Sequence, residues 1–118
     1  MPYDSPSRPN RRRYYRVKYP EEARPLFRLG SLLTTVIDTS EEGLRVLMPS
    51  GGHVLDLEVG APIRGVLILH SRDVHVVSGH VVRMEGRIVA IALNQAGINF
   101  PTIVAEQRWL RKLSRGDE

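Results

Sequence analysis

Arg11-Arg12-Arg13-Tyr14-Tyr15-Arg16 sets four guanidinium groups around two aromatic rings near the start of a 118-residue chain. A guanidinium is planar and permanently charged. Its fork of N–H donors matches the oxygens of a phosphate and also the O6 and N7 acceptors of guanine. Arg12 and Arg16 are four residues apart, which spans roughly 13 Å in an extended chain. That reach lets the pair grip opposite sides of a nucleotide-sized ligand, and in a turn the two would point the same way as a clamp. Tyr14 and Tyr15 suit either stacking on bases or packing against the body of the domain.

A second stretch, Asp38-Thr39-Ser40-Glu41-Glu42-Gly43, complements the first. A carboxylate at a strand end can accept hydrogen bonds from guanine N1–H and the N2 amine. Ser40, two residues on, offers a hydroxyl on the same side of an extended chain. Gly43 permits a positive φ and close approach of the backbone. The same residues also fit an Asx or Ser turn between two strands that needs no ligand, with Glu41 and Glu42 as solvated turn charges. Taken together, the two stretches point to one anionic, guanine-bearing ligand held between them.

Charge distribution supports an anionic partner. Residues 1–18 carry six basic side chains against Asp4 alone, a net +5, whereas the other 100 residues hold 11 basic and 12 acidic groups, a net −1. The excess positive charge therefore sits in an N-terminal arm on a near-neutral body. With no cysteine in the chain, a disulfide framework, a thiolate metal site and a thiol nucleophile are excluded. Apolar runs fall short of the ~18–20 residues of a membrane span, and the proline-containing polar N-terminus lacks the apolar core of a signal peptide. A cytoplasmic protein without membrane insertion is expected.

The elements that must position these groups read as β structure. Residues 1–10, rich in proline and serine, form a tail expected to be disordered, and residues 11–118 form one domain. Tyr14 to Tyr19 lead into it as a flexible arm. Strands are expected at Ala23 to Leu29, Leu32 to Ile37, Leu44 to Met48, Ile63 to Leu69, Val74 to Met84 and Ile88 to Leu93. The fourth, almost wholly apolar, reads as buried on both sides. Turns fall at Gly30, at Val59 to Pro62 and at Gly86. From Pro101 the period changes, and Ile103, Glu106, Gln107, Leu110 and Leu113 share one face of a helix. Six strands at hairpin-like spacing followed by a helix predict an all-β, six-stranded antiparallel barrel capped by a C-terminal α-helix.

Arg12-x-x-x-Arg16 followed by Asp38-x-Ser40-x-x-Gly43, ahead of this strand pattern and helix, resembles the PilZ domain family from about Arg11 to Leu113. The resemblance implies a β-barrel that binds cyclic di-GMP. It implies that Arg12 and Arg16 contact phosphate and guanine, and that Asp38, Ser40 and the Gly43 backbone hold the other face of a guanine. Arg11 and Arg13 would be flanking contacts. Ala90-Ile91-Ala92-Leu93 departs from the family, many members of which have a glycine before an aromatic in the last barrel strand. The function expected is a stand-alone cyclic di-GMP receptor. Its arm would order over the ligand and present a new surface to an unidentified effector protein, with no cofactor and no nucleic acid involved.

Two other readings belong to different classes. A small barrel binding RNA or single-stranded DNA would use the basic arm and tyrosines, but Asp38 would repel a phosphate backbone. A protein-interaction domain without nucleotide binding would rely on Trp109 or the helix surface instead, and Trp109 is expected to pack or form an interface. Catalysis is not expected. His53, His70, His75 and His80 lack metal-ligand spacing, no serine sits in a nucleophile elbow, and Gly51-Gly52 has no following lysine to make a phosphate loop.

Overall fold

The computed structural model describes residues 16–49, 57–70, 74–94 and 97–114. The expected disordered tail and all of the arm before Arg16 lie outside them. The elements are β1 (Val17–Lys18), a 3-10 turn (Glu21–Ala23), β2 (Leu26–Leu29), β3 (Leu32–Thr39), β4 (Gly43–Leu47), β5 (Pro62–Ile68), β6 (Val74–Glu85), β7 (Ile88–Leu93) and α1 (Phe100–Ser114). All pairings are antiparallel. Strands run in the order β3-β2-β5-β6-β7-β4, and β4 pairs back onto β3, which closes a six-stranded barrel as expected.

β1 is a seventh strand, within the stretch expected to be arm. β2 occupies one edge of β3 only from Leu32 to Thr35. Beyond that point the edge is open, and β1 takes it, with Val17 opposite Thr39 and Lys18 opposite Asp38. The strand expected from Ala23 also starts later, at Leu26, because Glu21–Ala23 closes a 3-10 turn through Ala23 N–H to Pro20 C=O, 2.9 Å.

Inward residues of each strand make the core, among them Val17, Phe27, Val36, Leu44, Val46, Leu67, Val81, Val89 and Ile91. β5, expected to be buried on both sides, is buried on one. Ile63, Gly65 and Leu67 face in, whereas Pro62, Arg64 and Ile68 are exposed, since the outside of a barrel wall faces solvent.

Asn99 caps α1, its Oδ1 accepting from Thr102 N–H at 3.0 Å. The helix buries Thr102, Ile103, Glu106 and Leu110, but Leu113, expected on that face, is exposed at the last turn. Tyr19 donates its hydroxyl to Glu106 Oε1 at 2.6 Å. Trp109 packs as expected, stacked on His70 with centroids 3.9 Å apart and planes 5° off parallel. His70 Nε2 in turn donates to the Ala23 carbonyl at 2.5 Å. Among the described residues no helix is long and apolar enough to cross a membrane.

Candidate functional site

Two register shifts create the site. Along β3, Val36 pairs with Val46 and Asp38 with Arg45, so two residues of β3 oppose one of β4. Strict alternation would place Asp38 on the core side with Val36. The bulge at Ile37 reverses the phase, and Asp38 joins Arg45 on the outer face. β6 repeats the device. Val81 pairs with Ile91 and Arg83 with Ala90, so the extra residue Val82 turns Arg83 out of the core phase. Gly43 and Arg45 on β4 and Ala90 and Ala92 on β7 lie between, alternating with the buried Leu44, Val46, Val89 and Ile91.

Together these residues form an open groove of about 790 Å³ on the outer wall. A register row of Lys18, Asp38, Arg45, Ala90 and Arg83 crosses five strands beneath it. Arg16, Lys18, Arg45 and Arg83 line it as cations, and Asp38, Glu42 and Glu85 as anions. Gly43, Ala90 and Ala92 contribute almost no side chain to its floor, which leaves the groove open there. At Gly43 the reason is close approach, not the positive φ that glycine also permits: a Cβ there would sit 2.8 Å from the Ile91 carbonyl oxygen.

Asp38 is fully buried and sits between two arginines. Arg16 Nη1 donates to its Oδ1 at 2.8 Å, and Arg45 donates to its Oδ2 through Nε at 2.7 Å and Nη2 at 2.6 Å. These are charge-assisted bonds of the strong kind. The two guanidinium side chains are 47% and 40% exposed, so the carboxylate is screened from water by groups that themselves reach it.

Ser40 is buried at the end of β3. Its Oγ accepts from Glu42 N–H at 3.3 Å, and its own N–H donates to the Gly43 carbonyl at 2.9 Å. The serine turn anticipated as the alternative to a ligand contact is therefore present, and Ser40 nevertheless lines the groove. Leu93 N–H to Glu42 C=O, 2.7 Å, and Ile98 N–H to Glu41 C=O, 3.3 Å, pin this loop to the end of β7 and beyond.

Of the residues singled out in the sequence, the structure brings together Arg16, Asp38, Ser40 and Gly43 in one groove. Arg11, Arg12 and Arg13 lie outside the described residues. Sequence reasoning missed Arg45, Lys18, Arg83 and Glu85. Arg45 carried a readable signal, since it stands two residues after Gly43 in an alternating strand and so shares its face. Among the described residues no group of His, Asp and Glu is placed to hold a metal ion.

A sequence model of the PilZ domain matches residues 10–115. Among solved structures, the fold is similar to the PilZ domain with c-di-GMP of YcgR from Escherichia coli. That similarity has a TM-score of 0.61 and 16% identity, and covers 91% of this chain and 94% of that one. It is also similar to the Bacillus subtilis inhibitor of motility MotI/DgrA, with a TM-score of 0.56 and 15% identity, over 94% of this chain and 57% of that one. At these identities the likeness is one of fold. No curated protein matches the sequence. With the family model spanning nearly the whole chain, the chain belongs to the PilZ domain family.

Proposed function

We propose that the chain is a cyclic di-GMP receptor that acts as an adaptor and not as a catalyst. The observation that carries this reading is the 2.8 Å ion pair between Arg16 and Asp38, which joins the two stretches across 22 residues at the floor of one groove. In the ligand-bound state, a guanine donates N1–H and its N2 amine to Asp38. Arg16 moves from Asp38 Oδ1 to a ligand phosphate or to guanine O6 and N7. Arg45 stays on Oδ2 and keeps the carboxylate oriented. Ser40 and the Gly43 backbone border the base. Arg12, with Arg11 and Arg13 beside it, supplies guanidinium groups from the arm. Movement of Arg16 with the arm changes the surface beside the barrel, and an effector protein reads that change.

An oligonucleotide fits this groove less well. Three carboxylates line it, and a tracking phosphate backbone would meet each of them. Isothermal titration calorimetry with cyclic di-GMP is the test. The wild-type protein is expected to bind in the micromolar range, about −8 kcal/mol. Arg16→Ala, Arg12→Ala and Asp38→Ala should each weaken binding tenfold or more, as loss of a charge-assisted contact of about 1.5–3 kcal/mol requires. Unchanged affinity in all three variants would overturn the reading.

A further inference from the structure

The groove has a second end, supplied by neither of the stretches read from the sequence. The bulge at Val82 turns Arg83 outward, and Glu85 follows on the same face opposite Ile88. Both line the groove, along with Val82, Ile88, Ala90 and Ala92. Arg83 Nη1 stands 3.9 Å from Glu85 Oε2, beyond hydrogen-bonding distance, and the two side chains are 70% and 66% exposed. They are paired loosely enough for each to turn towards a guest.

Three features of this end match a base better than a phosphate. First, its surroundings are small or aliphatic side chains, which accept the face of a ring. Secondly, Glu85 would repel a phosphate placed on Arg83. Thirdly, an arginine and a carboxylate side by side answer the two kinds of group that guanine presents, O6 and N7 as acceptors and N1–H and N2–H as donors. The Asp38 end has the same composition, a carboxylate flanked by guanidinium groups. The two ends are three strands apart in the sheet, from β3 through β4 and β7 to β6, or about 14 Å along the curved wall. That separation is greater than the width of one base.

We propose that Arg83 and Glu85 form a second guanine subsite, so that the groove reads both bases of a cyclic dinucleotide, one at each end. This rests on the reading of the groove as a cyclic di-GMP site. Arg83 donates to O6 and N7 of the second guanine, and Glu85 accepts from its N–H edge.

The test is calorimetry with cyclic di-GMP and with the mixed dinucleotide in which adenine replaces one guanine, which leaves a guanine for Asp38. Wild-type protein is expected to prefer cyclic di-GMP by about tenfold or more, the discrimination typical of one bidentate arginine–guanine pair. Arg83→Ala should weaken cyclic di-GMP binding by a similar factor and leave the mixed dinucleotide unchanged, so that the preference disappears. Glu85→Gln should reduce the preference in the same sense. Thermal melts check that both exposed substitutions leave the barrel intact. Equal wild-type affinity for the two ligands, a preference that survives in Arg83→Ala, or equal weakening of both ligands would overturn the second subsite while Arg16- and Asp38-dependent binding stood. Wild-type protein that bound neither ligand would overturn both this subsite and the receptor reading.

Discussion

A carboxylate buried on a barrel wall is costly unless its charge is answered, and at Asp38 two guanidinium groups answer it. The cost of breaking this cluster depends on which member is removed. Arg45→Ala leaves a buried carboxylate with Arg16 alone, and Oδ2 loses both of its donors. Asp38→Ala leaves two arginines that are partly exposed and can turn to water. In urea denaturation Arg45→Ala should therefore be the more destabilising, by about 1–3 kcal/mol, whereas Asp38→Ala should cost under about 1 kcal/mol. For ligand binding the order reverses, since Asp38 is the proposed reader of guanine. A larger stability loss in Asp38→Ala than in Arg45→Ala would refute this account. At this scale the sequence singled out Asp38, Ser40, Gly43 and Arg16, which the fold brings to one groove, because motif spacing is local information. It did not identify Arg83 or Glu85, because they reach the groove only once β7 lies between β4 and β6.

The strands themselves were readable from runs of β-branched and apolar residues, and their boundaries fall within a few residues of those expected. The bulges were not. A period of two, counted along β3, assigns Val36 and Asp38 to one face, and only the partner strand reveals that Ile37 is an extra residue. Edge availability was equally hidden, so Val17–Lys18 read as arm although β3 leaves it a place to pair. The element that ties these features together is β4, whose first residue lies tight against β7. In Gly43→Ala the new methyl would meet the Ile91 carbonyl oxygen at 2.8 Å, a backbone atom that can move only with its strand. Overpacking of this kind costs about 1–3 kcal/mol. The variant should melt at lower temperature and bind cyclic di-GMP more weakly, because β4 and β7 must part beneath the groove floor. A variant with wild-type melting temperature and affinity would show that the close approach has no role.

At the scale of the whole molecule, one four-residue segment connects the groove to the helix. Arg16 and Lys18 point outward into the groove, while Val17 and Tyr19 point inward to the core. Tyr19 N–H donates to the Ile37 carbonyl at 3.0 Å, and its hydroxyl donates to Glu106 on α1, 87 residues further along the chain. Burial first, then the hydrogen bond to Glu106 and the negative charges of Glu106 and Asp38, push the Tyr19 hydroxyl far above its ordinary value of about 10. Folded protein therefore keeps this proton at alkaline pH where the unfolded chain releases it. The contribution of Tyr19 to stability is fully present below about pH 10 and declines above it, by up to about 1.4 kcal/mol per pH unit. Tyr19→Phe removes that titration and takes one donor from the buried Glu106, a loss of about 1–3 kcal/mol near neutrality. In urea denaturation the gap between wild type and Tyr19→Phe should be widest at about pH 8 and should narrow at about pH 11, as the wild type alone loses the Tyr19 contribution. A gap that stays constant over that range would mean that the phenol is not held protonated by the fold, and that the groove-bearing segment is anchored to α1 by packing alone.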